Sequence, residues 1–262
     1  MKFTVPGRYE PPYPDADRTA FDPASVPERY GRLRVRIDDL SAADRLARDA
    51  VPYGPGSDFG TVTAVCAPGF AAYARILHPA ALDERPVTWA TAAAAYGRTV
   101  TGTTTWGELI GCADPVDYLN GDASLPGVWD EHPAEGPTPP DVARALLPVL
   151  ARHTTTPDRC WYGLWDGYGT FTWPPGTPTF PTPGRDEILL SGRLTDAPTP
   201  GDDPHHFLEL PDLWWPADHA WCLGGDVDLL STYIGGTPAL ITALLATPGL
   251  EAHRVEATSP VN

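Results

Sequence analysis

The chain has 262 residues, of which 42% are hydrophobic, and a chain of this length can bury a core without disulfides or a structural metal. Its 34 acidic and 18 basic residues give a formal net charge of −16, and such a field repels phosphate backbones. Residues 1–10 contain no apolar signal-peptide core, and no run of about 18 apolar residues occurs. We therefore expect a soluble, cytoplasmic protein with no membrane or nucleic-acid partner.

The four cysteines, Cys66, Cys112, Cys160 and Cys222, are widely separated and form no CxxC pair. Each lies in or beside an apolar segment, which is typical of reduced, buried thiols rather than of a disulfide framework or a zinc ribbon. The sequence also contains no P-loop, GxGxxG, HExxH or GxSxG segment. We therefore predict no metal and no cofactor.

An N-terminal segment, residues 1–57, is predicted to wrap the surface with one strand and one short helix. RLRVRID (32–38) alternates arginines with apolar residues, a pattern typical of a half-buried strand. Ser41 begins a capping-box-like pattern that predicts a helix over 42–50. The remaining residues, 58–262, are predicted to form a single α+β domain.

The next elements are predicted in chain order as two strands and three helices. GTVTAVCA (60–67) and FAAYARILH (70–78) are predicted as strands on either side of a Pro-Gly turn. Helices are predicted over 88–97, from Thr105 and Glu108 through Ile110, and over 141–152.

The segment CWYGLWDGYGTFTW (160–173) places Asp166-Gly167 between two aromatic runs. This dipeptide favours a β-hairpin with a type I′ turn. The residues predicted to share one face of that hairpin are Cys160, Tyr162, Leu164, Gly169, Phe171 and Trp173.

The last third of the chain begins with a predicted strand over 186–194 and contains the segment LWWPADHAWCLGGDVD. A turn is predicted at 216–218, followed by a strand over 220–228. The paired glycines in that strand, Gly224 and Gly225, indicate a bulge or a close backbone approach.

Thr237-Pro238 predicts an N-cap followed by proline at the first helical position, so PALITALLAT is predicted as a helix. LEAHRVEA is predicted as the closing strand. This order of elements predicts an α+β fold. Its sheet is expected to be mainly antiparallel (mixed), with helices packed chiefly on one face and with long Pro-rich loops.

The segments CWYGLWDGYG, LWWPADHAWC and STYIGG, taken together, resemble segments of a group of uncharacterised proteins from high-GC bacteria. The resemblance covers residues 58–258 and implies one continuous domain. The group carries no assigned activity, so the resemblance transfers no site residue.

Asp226 and Asp228 would lie about 7 Å apart on one face of the predicted strand. Two carboxylates at that separation could share a divalent cation or divide acid and base roles. The alternative is a strand end that runs into solvent, which is favoured because no partner ligand or nucleophile follows at a fixed spacing.

Residues 202–219 are rich in carboxylates and histidines, including Asp202, Asp203 and Asp212. Adjacent histidines on an extended chain point to opposite sides, so His205-His206 is poorly suited to hold one ion. A solvated acidic loop is the favoured interpretation.

The chain contains nine tryptophans, and tryptophan clusters occur in cores, in small-molecule pockets and in protein interfaces. Trp214 and Trp215 are adjacent, so both can be buried only if their loop is covered. One of them is therefore expected to line a cleft or an interface.

Two functional hypotheses follow. From residue 194 onward Arg254 is the only Lys or Arg against ten acidic residues, which favours a non-catalytic interaction protein that docks a basic protein partner, as bacterial immunity proteins do. The alternative is an enzyme or small-molecule binder with a Trp-lined pocket and carboxylates at its rim. The candidate residues are Trp214, Trp215, Asp202, Asp203, Asp212, Asp226 and Asp228. No catalytic residue is assigned, and the oligomeric state is left open.

Overall fold

The computed structural model describes residues 21–46, 60–112, 124–169, 171–198 and 209–261. Within them, twelve β-strands and five α-helices form an α+β fold around a large sheet. The predicted fold class is confirmed, and each strand pairing among these residues is antiparallel.

The strands are β1 (Arg29–Tyr30), β2 (Leu33–Val35), β3 (Ala72–Leu77), β4 (Ala80–Leu82), β5 (Arg85–Val87), β6 (Cys160–Trp165), β7 (Phe180–Thr182), β8 (Arg185–Gly192), β9 (Leu213–Pro216), β10 (Cys222–Gly224), β11 (Ser231–Gly236) and β12 (Glu251–Val255). The helices are α1 (Val62–Val65), α2 (Trp89–Ala95), α3 (Trp106–Ile110), α4 (Pro140–Arg152) and α5 (Pro238–Leu245). No helix among the described residues is both long and apolar enough to cross a membrane.

Ten strands form one sheet in the order β1-β2-β8-β6-β9-β10-β11-β3-β12, and β7 also pairs with β8. β2 pairs with β8 at residues 190–191, whereas β7 pairs with it at residues 185–187. β4 and β5 form a separate hairpin. The strands within residues 21–46 are therefore hydrogen-bonded into the main sheet. The predicted boundary at residue 57 lies outside the described residues and stays a prediction.

The two longest helices, α4 and α5, pack on one face of the sheet. Their apolar residues recur every three or four positions, which places them on one side of each helix. The buried helix residues in this core are Val142, Ala143, Leu146, Val149, Leu150, Leu240, Ile241 and Leu244. They pack with strand residues that include Ile76, Tyr162, Ile188, Trp214 and Ile234.

Smaller clusters cover the rest of the core, and one of them is built on tryptophan. Trp89 of α2 and Trp106 of α3 are buried with Trp129, and each contacts the next ring edge-on at a centroid distance of 5.2 Å. Such edge contacts add to the stabilisation that burial of these large rings provides. Three of the nine tryptophans are thereby assigned to packing.

Several predicted elements are confirmed at or near their predicted positions: β2, β3, β8, β12 and the helices α2 to α5. The capping box of α3 is present, with the Thr105 side chain accepting from the Glu108 N–H and the Glu108 carboxylate accepting from the Thr105 N–H. The helix predicted over 42–50 is instead a 3₁₀ turn at Ser41–Ala43, and residues 47–50 lie outside the described residues.

The hairpin predicted over 160–173 is wrong. β6 pairs with β8 along one edge and with β9 along the other, so strands distant in sequence occupy both edges. Gly167 is not among the glycines with positive φ, which a type I′ turn would require. Phe171 and Trp173 nevertheless pack against the same core cluster as Tyr162, so the predicted shared aromatic face exists without the predicted strand pair.

The strand predicted at 60–67 is also wrong, because this segment contains the one-turn helix α1. Its β-branched residues favour a strand locally. Distant backbone groups favour the helix, because the N–H of Val62 donates to the carbonyl of Ser259 at 3.0 Å and that of Thr63 to Ala257 at 3.2 Å. These bonds satisfy donors that a helix N-terminus otherwise leaves without partners.

The strand predicted over 220–228 is shorter than expected, because β10 ends at Gly224. A Cβ atom added at Gly224 would lie 2.2 Å from the carbonyl oxygen of Val65. The predicted close backbone approach is therefore confirmed, and only glycine fits at this contact.

Candidate functional site

Asp212 lies directly before β9 and is buried, with 1% of its surface exposed. Its Oδ2 atom accepts a hydrogen bond from the Trp165 N–H at 2.9 Å, and its Oδ1 atom accepts one from the Tyr168 hydroxyl at 2.7 Å. Burial raises the pKa of this carboxyl to about 6, against the lowering effect of the two hydrogen bonds. The expectation that Asp212 is a solvated loop charge is wrong, because the 165–168 segment covers it.

Arg185, at the start of β8, brings Asp212 and Asp226 together. One guanidinium nitrogen lies 4.0 Å from Asp212 Oδ1, and the other contacts Asp226 Oδ2. The guanidinium also lies 5.1 Å from the centre of the Trp165 ring, within the range of a cation–π contact. Asp212 and Asp226, two of the seven candidate residues, thus share the guanidinium group of Arg185. Arg185 itself was not among the predicted candidates.

Glu187, two residues further along β8, points to the same side of the strand and is 1% exposed. Its Oε1 atom accepts a long hydrogen bond from the Thr182 hydroxyl at 3.5 Å, whereas Oε2 has no partner among the described residues. Burial, followed by repulsion from Asp212, holds the pKa of Glu187 well above its ordinary value. Glu187 is therefore a buried carboxyl group with a raised pKa beside the Arg185 ion pairs.

Tyr168 connects this cluster, which comprises Arg185, Glu187, Asp212 and Asp226, to a surface pocket. The pocket has a volume of about 330 Å³, and its walls include the aromatic side chains of Tyr168, Phe171 and Trp173. Asp166 also lines it. Partial burial, together with repulsion from Asp186, raises the pKa of Asp166. We call this cavity the aromatic pocket.

The wall of the aromatic pocket is held by ring contacts to Tyr30 of β1. Phe171 and Trp173 lie 4.6 Å apart between ring centroids, and Tyr30 contacts both, at 5.9 and 6.2 Å respectively. Tyr30 is itself buried and donates its hydroxyl to the carbonyl of Glu209 at 2.9 Å. The pocket therefore rests on rings fixed by the sheet rather than on loop side chains alone.

Trp214 and Trp215 do not line this pocket. Both are fully buried in β9, where they face opposite sides of the sheet and belong to different core clusters. Their indole N–H groups donate to the carbonyls of Pro211 at 2.8 Å and Ala42 at 3.2 Å. The expectation that one of them lines a cleft is wrong, because they lie on an interior strand and not in a loop.

Asp226 and Asp228 lie in the turn after β10 and not on a strand face. The Asp228 N–H donates to Asp226 Oδ1 at 3.1 Å, while the Asp228 side chain is exposed. Asp202 and Asp203 lie outside the described residues. Among the residues that are described, no group of three or more His, Cys, Asp or Glu side chains is arranged to hold a metal ion.

Four residues of the site were not predicted from the sequence: Tyr168, Trp173, Arg185 and Glu187. One signal was available, because the alternation in RDEILLSG places Arg185 and Glu187 on the same side as Leu189. Comparisons of the chain with models of known families, with curated proteins and with solved structures find no match. The site is accordingly interpreted from its own geometry.

Proposed function

We propose that the protein binds a small organic cation of the quaternary or alkylated ammonium class in the aromatic pocket. The observation that carries the proposal is the combination of three aromatic side chains and the Asp166 carboxylate around one cavity of about 330 Å³. Aromatic ring faces attract cations, and alkylated ammonium groups suit such sites because they have few or no N–H groups left to satisfy. The proposal develops the hypothesis of a small-molecule binder with carboxylates at the rim of its pocket.

Electrostatics favour a cation over a neutral or anionic ligand. The raised pKa of Asp166 arises from burial and from repulsion by Asp186, and a bound cation would relieve that repulsion. The net charge of −16 also attracts cations to the molecule as a whole. The volume is at the small end of the range for ligand pockets, which fits a compact head group.

The buried cluster beneath the pocket supports the proposal by fixing one wall. Tyr168 donates its hydroxyl to Asp212, and Asp212 is oriented in turn by the Trp165 N–H and by Arg185. A ring held in this way loses little conformational freedom when a ligand binds. Asp212 is therefore a positioning residue for the pocket and does not itself line it.

Calorimetric titration with choline tests the proposal, and 3,3-dimethylbutanol, its uncharged carbon isostere, provides the matched ligand. We expect choline to bind at least about tenfold more tightly, because only the charged ligand gains cation–π and carboxylate interactions. Equal affinity for the two ligands would show a simple apolar pocket and would overturn the proposal.

Variants at the wall and rim separate the aromatic and electrostatic contributions. Trp173→Leu should weaken choline binding several-fold, and Trp173→Phe should restore part of the affinity because it retains a ring face. Asp166→Asn should also weaken binding, whereas Asp38→Asn, the same change at a side chain that is 77% exposed, should not. Equal affinity of the Leu and Phe variants would argue against recognition by ring faces.

Docking of a basic protein partner by the acidic C-terminal third remains a second proposal, supported by the net charge of −16. Within that third, Asp196, Asp212, Asp218, Asp226 and Glu251 accept hydrogen bonds from the chain itself. These five carboxylates have structural partners, so the docking proposal depends mainly on the other five acidic residues of this third: Asp202, Asp203, Glu209, Asp228 and Glu256.

A further inference from the structure

A second concave site lies at the other end of β8 from Arg185. It has a volume of about 430 Å³, and its lining includes Ser191 and Gly192 of β8 and Trp161 of β6. Five of the eighteen basic residues of the chain also line it: Arg29, Arg32, Arg34, Arg159 and Arg193. We call this site the arginine groove.

Strand register places two of these arginines opposite each other, although the Arg29 guanidinium also donates to the carbonyl of Arg32 at 3.1 Å. In β2, Leu33 and Val35 are buried, so the alternation of the strand turns Arg34 outward. Arg34 is then paired directly with Arg29 of β1. Like charges directly opposite each other on adjacent strands are destabilising, because their Cβ atoms are only about 5 Å apart. An anion bound between the two guanidinium groups would relieve this repulsion.

The same row of the sheet continues from the arginines to an aromatic side chain. Arg34 is paired with Ser191, and Ser191 is paired with Trp161. The Arg36 guanidinium lies 5.8 Å from the centre of the Trp161 ring. The register therefore aligns two cations, one hydroxyl and one half-buried indole across four neighbouring strands.

Arginines outnumber carboxylates in the described lining of the groove. Among the described residues, the carboxylates of Asp158 and Asp196 line it together with the five arginines. Asp158 lies 3.9 Å from Arg193, but both side chains are largely exposed, and such ion pairs contribute little. Asp196 also accepts the backbone N–H of Arg193 at 2.8 Å. A groove lined by five arginines is unexpected in a chain of net charge −16.

We propose that the arginine groove binds a small anion that carries a chain of phosphate groups. Guanidinium groups bind phosphate oxygens in bidentate geometry, and a chain of phosphate groups can contact several of the arginines that line the groove. A small ligand is favoured over a nucleic acid, because a long polyanion would extend beyond the groove onto a molecule that repels it. The volume of about 430 Å³ suits a ligand of this size.

Calorimetric titration of the full chain with sodium tripolyphosphate tests the proposal, at low salt and without divalent cations. We expect one saturable site per chain, with affinity that falls as salt increases. ATP serves as a second probe. Tighter binding of ATP would show that its base contacts Trp161, and equal binding would show recognition of the phosphate chain alone. Both results support the proposal, whereas citrate bound as tightly as tripolyphosphate would overturn the assignment to phosphate.

The double variant Arg29→Gln/Arg34→Gln provides the decisive comparison. It should weaken tripolyphosphate binding by at least about tenfold, since two guanidinium groups are removed. Without ligand its melting temperature should equal or exceed that of the wild type, because the like-charge pair is relieved. If the two arginines had only a structural role, replacing them would lower the melting temperature. Arg85→Gln, the same change at an arginine whose side chain is 77% exposed, is the matched control and should leave binding unchanged.

Two results would overturn the proposal. The first is a wild-type protein that does not bind tripolyphosphate, or a double variant that binds it as tightly as the wild type. The second is a wild-type dimer in sedimentation analysis that the double variant loses, since the groove would then be an interface between copies. Choline binding in the aromatic pocket involves other residues, so either proposal can be overturned without affecting the other.

Discussion

Burial of the Asp212 carboxyl has a consequence for stability. Its pKa is raised from its ordinary value to about 6. An acid whose pKa is higher in the folded protein binds its proton more tightly there, so protonation favours the folded state. This contribution is fully present below about pH 4 and is lost as the pH rises through about 6. Above that pH the Asp212 carboxylate is ionised in a buried site. The positive charge of Arg185 offsets this cost only weakly, because its nearest guanidinium nitrogen lies 4.0 Å from Asp212 Oδ1.

We therefore expect Asp212→Asn to change how stability depends on pH. Between pH 4.5 and 7.5, the wild type should lose about 2 kcal/mol of unfolding free energy relative to the variant, because only the wild type ionises this buried group. Urea unfolding of both proteins at the two pH values measures the difference. Parallel pH profiles for the two proteins would show that Asp212 does not titrate in this range.

The environment of Asp212 could not have been predicted from the sequence. Its neighbours in DDPHHFLELPD include three other acidic residues, two histidines and two prolines, which is typical of a solvated loop. The groups that cover it, Trp165 and Tyr168, are more than forty positions away in the chain. The arginine groove was missed for a similar reason, because its arginines come from three separate segments that only the sheet brings together.

At the level of elements, the contact between β10 and α1 depends on the absence of a side chain at Gly224. A Cβ atom at Gly224 would lie 2.2 Å from the Val65 carbonyl oxygen and 2.7 Å from its carbon. Both of these are backbone atoms, so the clash cannot be relieved by a change of rotamer. α1 is also held from its other side by hydrogen bonds to residues 257–259.

Gly224→Ala should therefore destabilise the protein by about 3 kcal/mol, the upper part of the range for overpacked sites. Gly169→Ala is the matched control, because a Cβ atom there meets nothing within 4 Å. Chemical denaturation measures both variants. If the two lose the same stability, the close approach of β10 to α1 would not be the cause.

Elements specified by local signals could be predicted, and elements decided by distant partners could not. The capping box of α3 and the Thr237 N-cap of α5 depend on residues within one turn, and both are present. The Asp166-Gly167 signal is also local, but strands β8 and β9 pair with β6 on both sides and leave no edge for a hairpin. Tertiary pairing overrides turn propensity in that case.

At the scale of the whole molecule, charge is distributed unevenly. The chain has a net charge of −16, yet five of its arginines line one groove. Ligands of opposite sign are therefore favoured at different places on the same molecule. Surface charge chiefly affects association rates, and salt screens it over a Debye length of about 8 Å at physiological ionic strength.

If the acidic C-terminal third docks a basic protein, that partner should be recovered at low salt and should associate more slowly as salt increases. The variant Asp202→Asn/Asp203→Asn should slow association measured by stopped flow. Asp38→Asn/Asp44→Asn, with the same change in net charge elsewhere, should have a smaller effect. Association that is indifferent to salt and equal in both variants would rule out docking by this part of the chain.

The position of β3 in the sheet has a consequence for the order in which the protein can fold. Its residues, 72–77, pair with β11 on one side and β12 on the other, and both partners lie beyond residue 230. Contacts so distant in sequence slow folding, because a long loop must be closed before they form. During synthesis β3 therefore emerges from the ribosome long before either partner strand. Until the C-terminal strands are synthesised, the apolar side chains of β3 lack their sheet partners, and unpaired apolar strands of this kind are prone to aggregate.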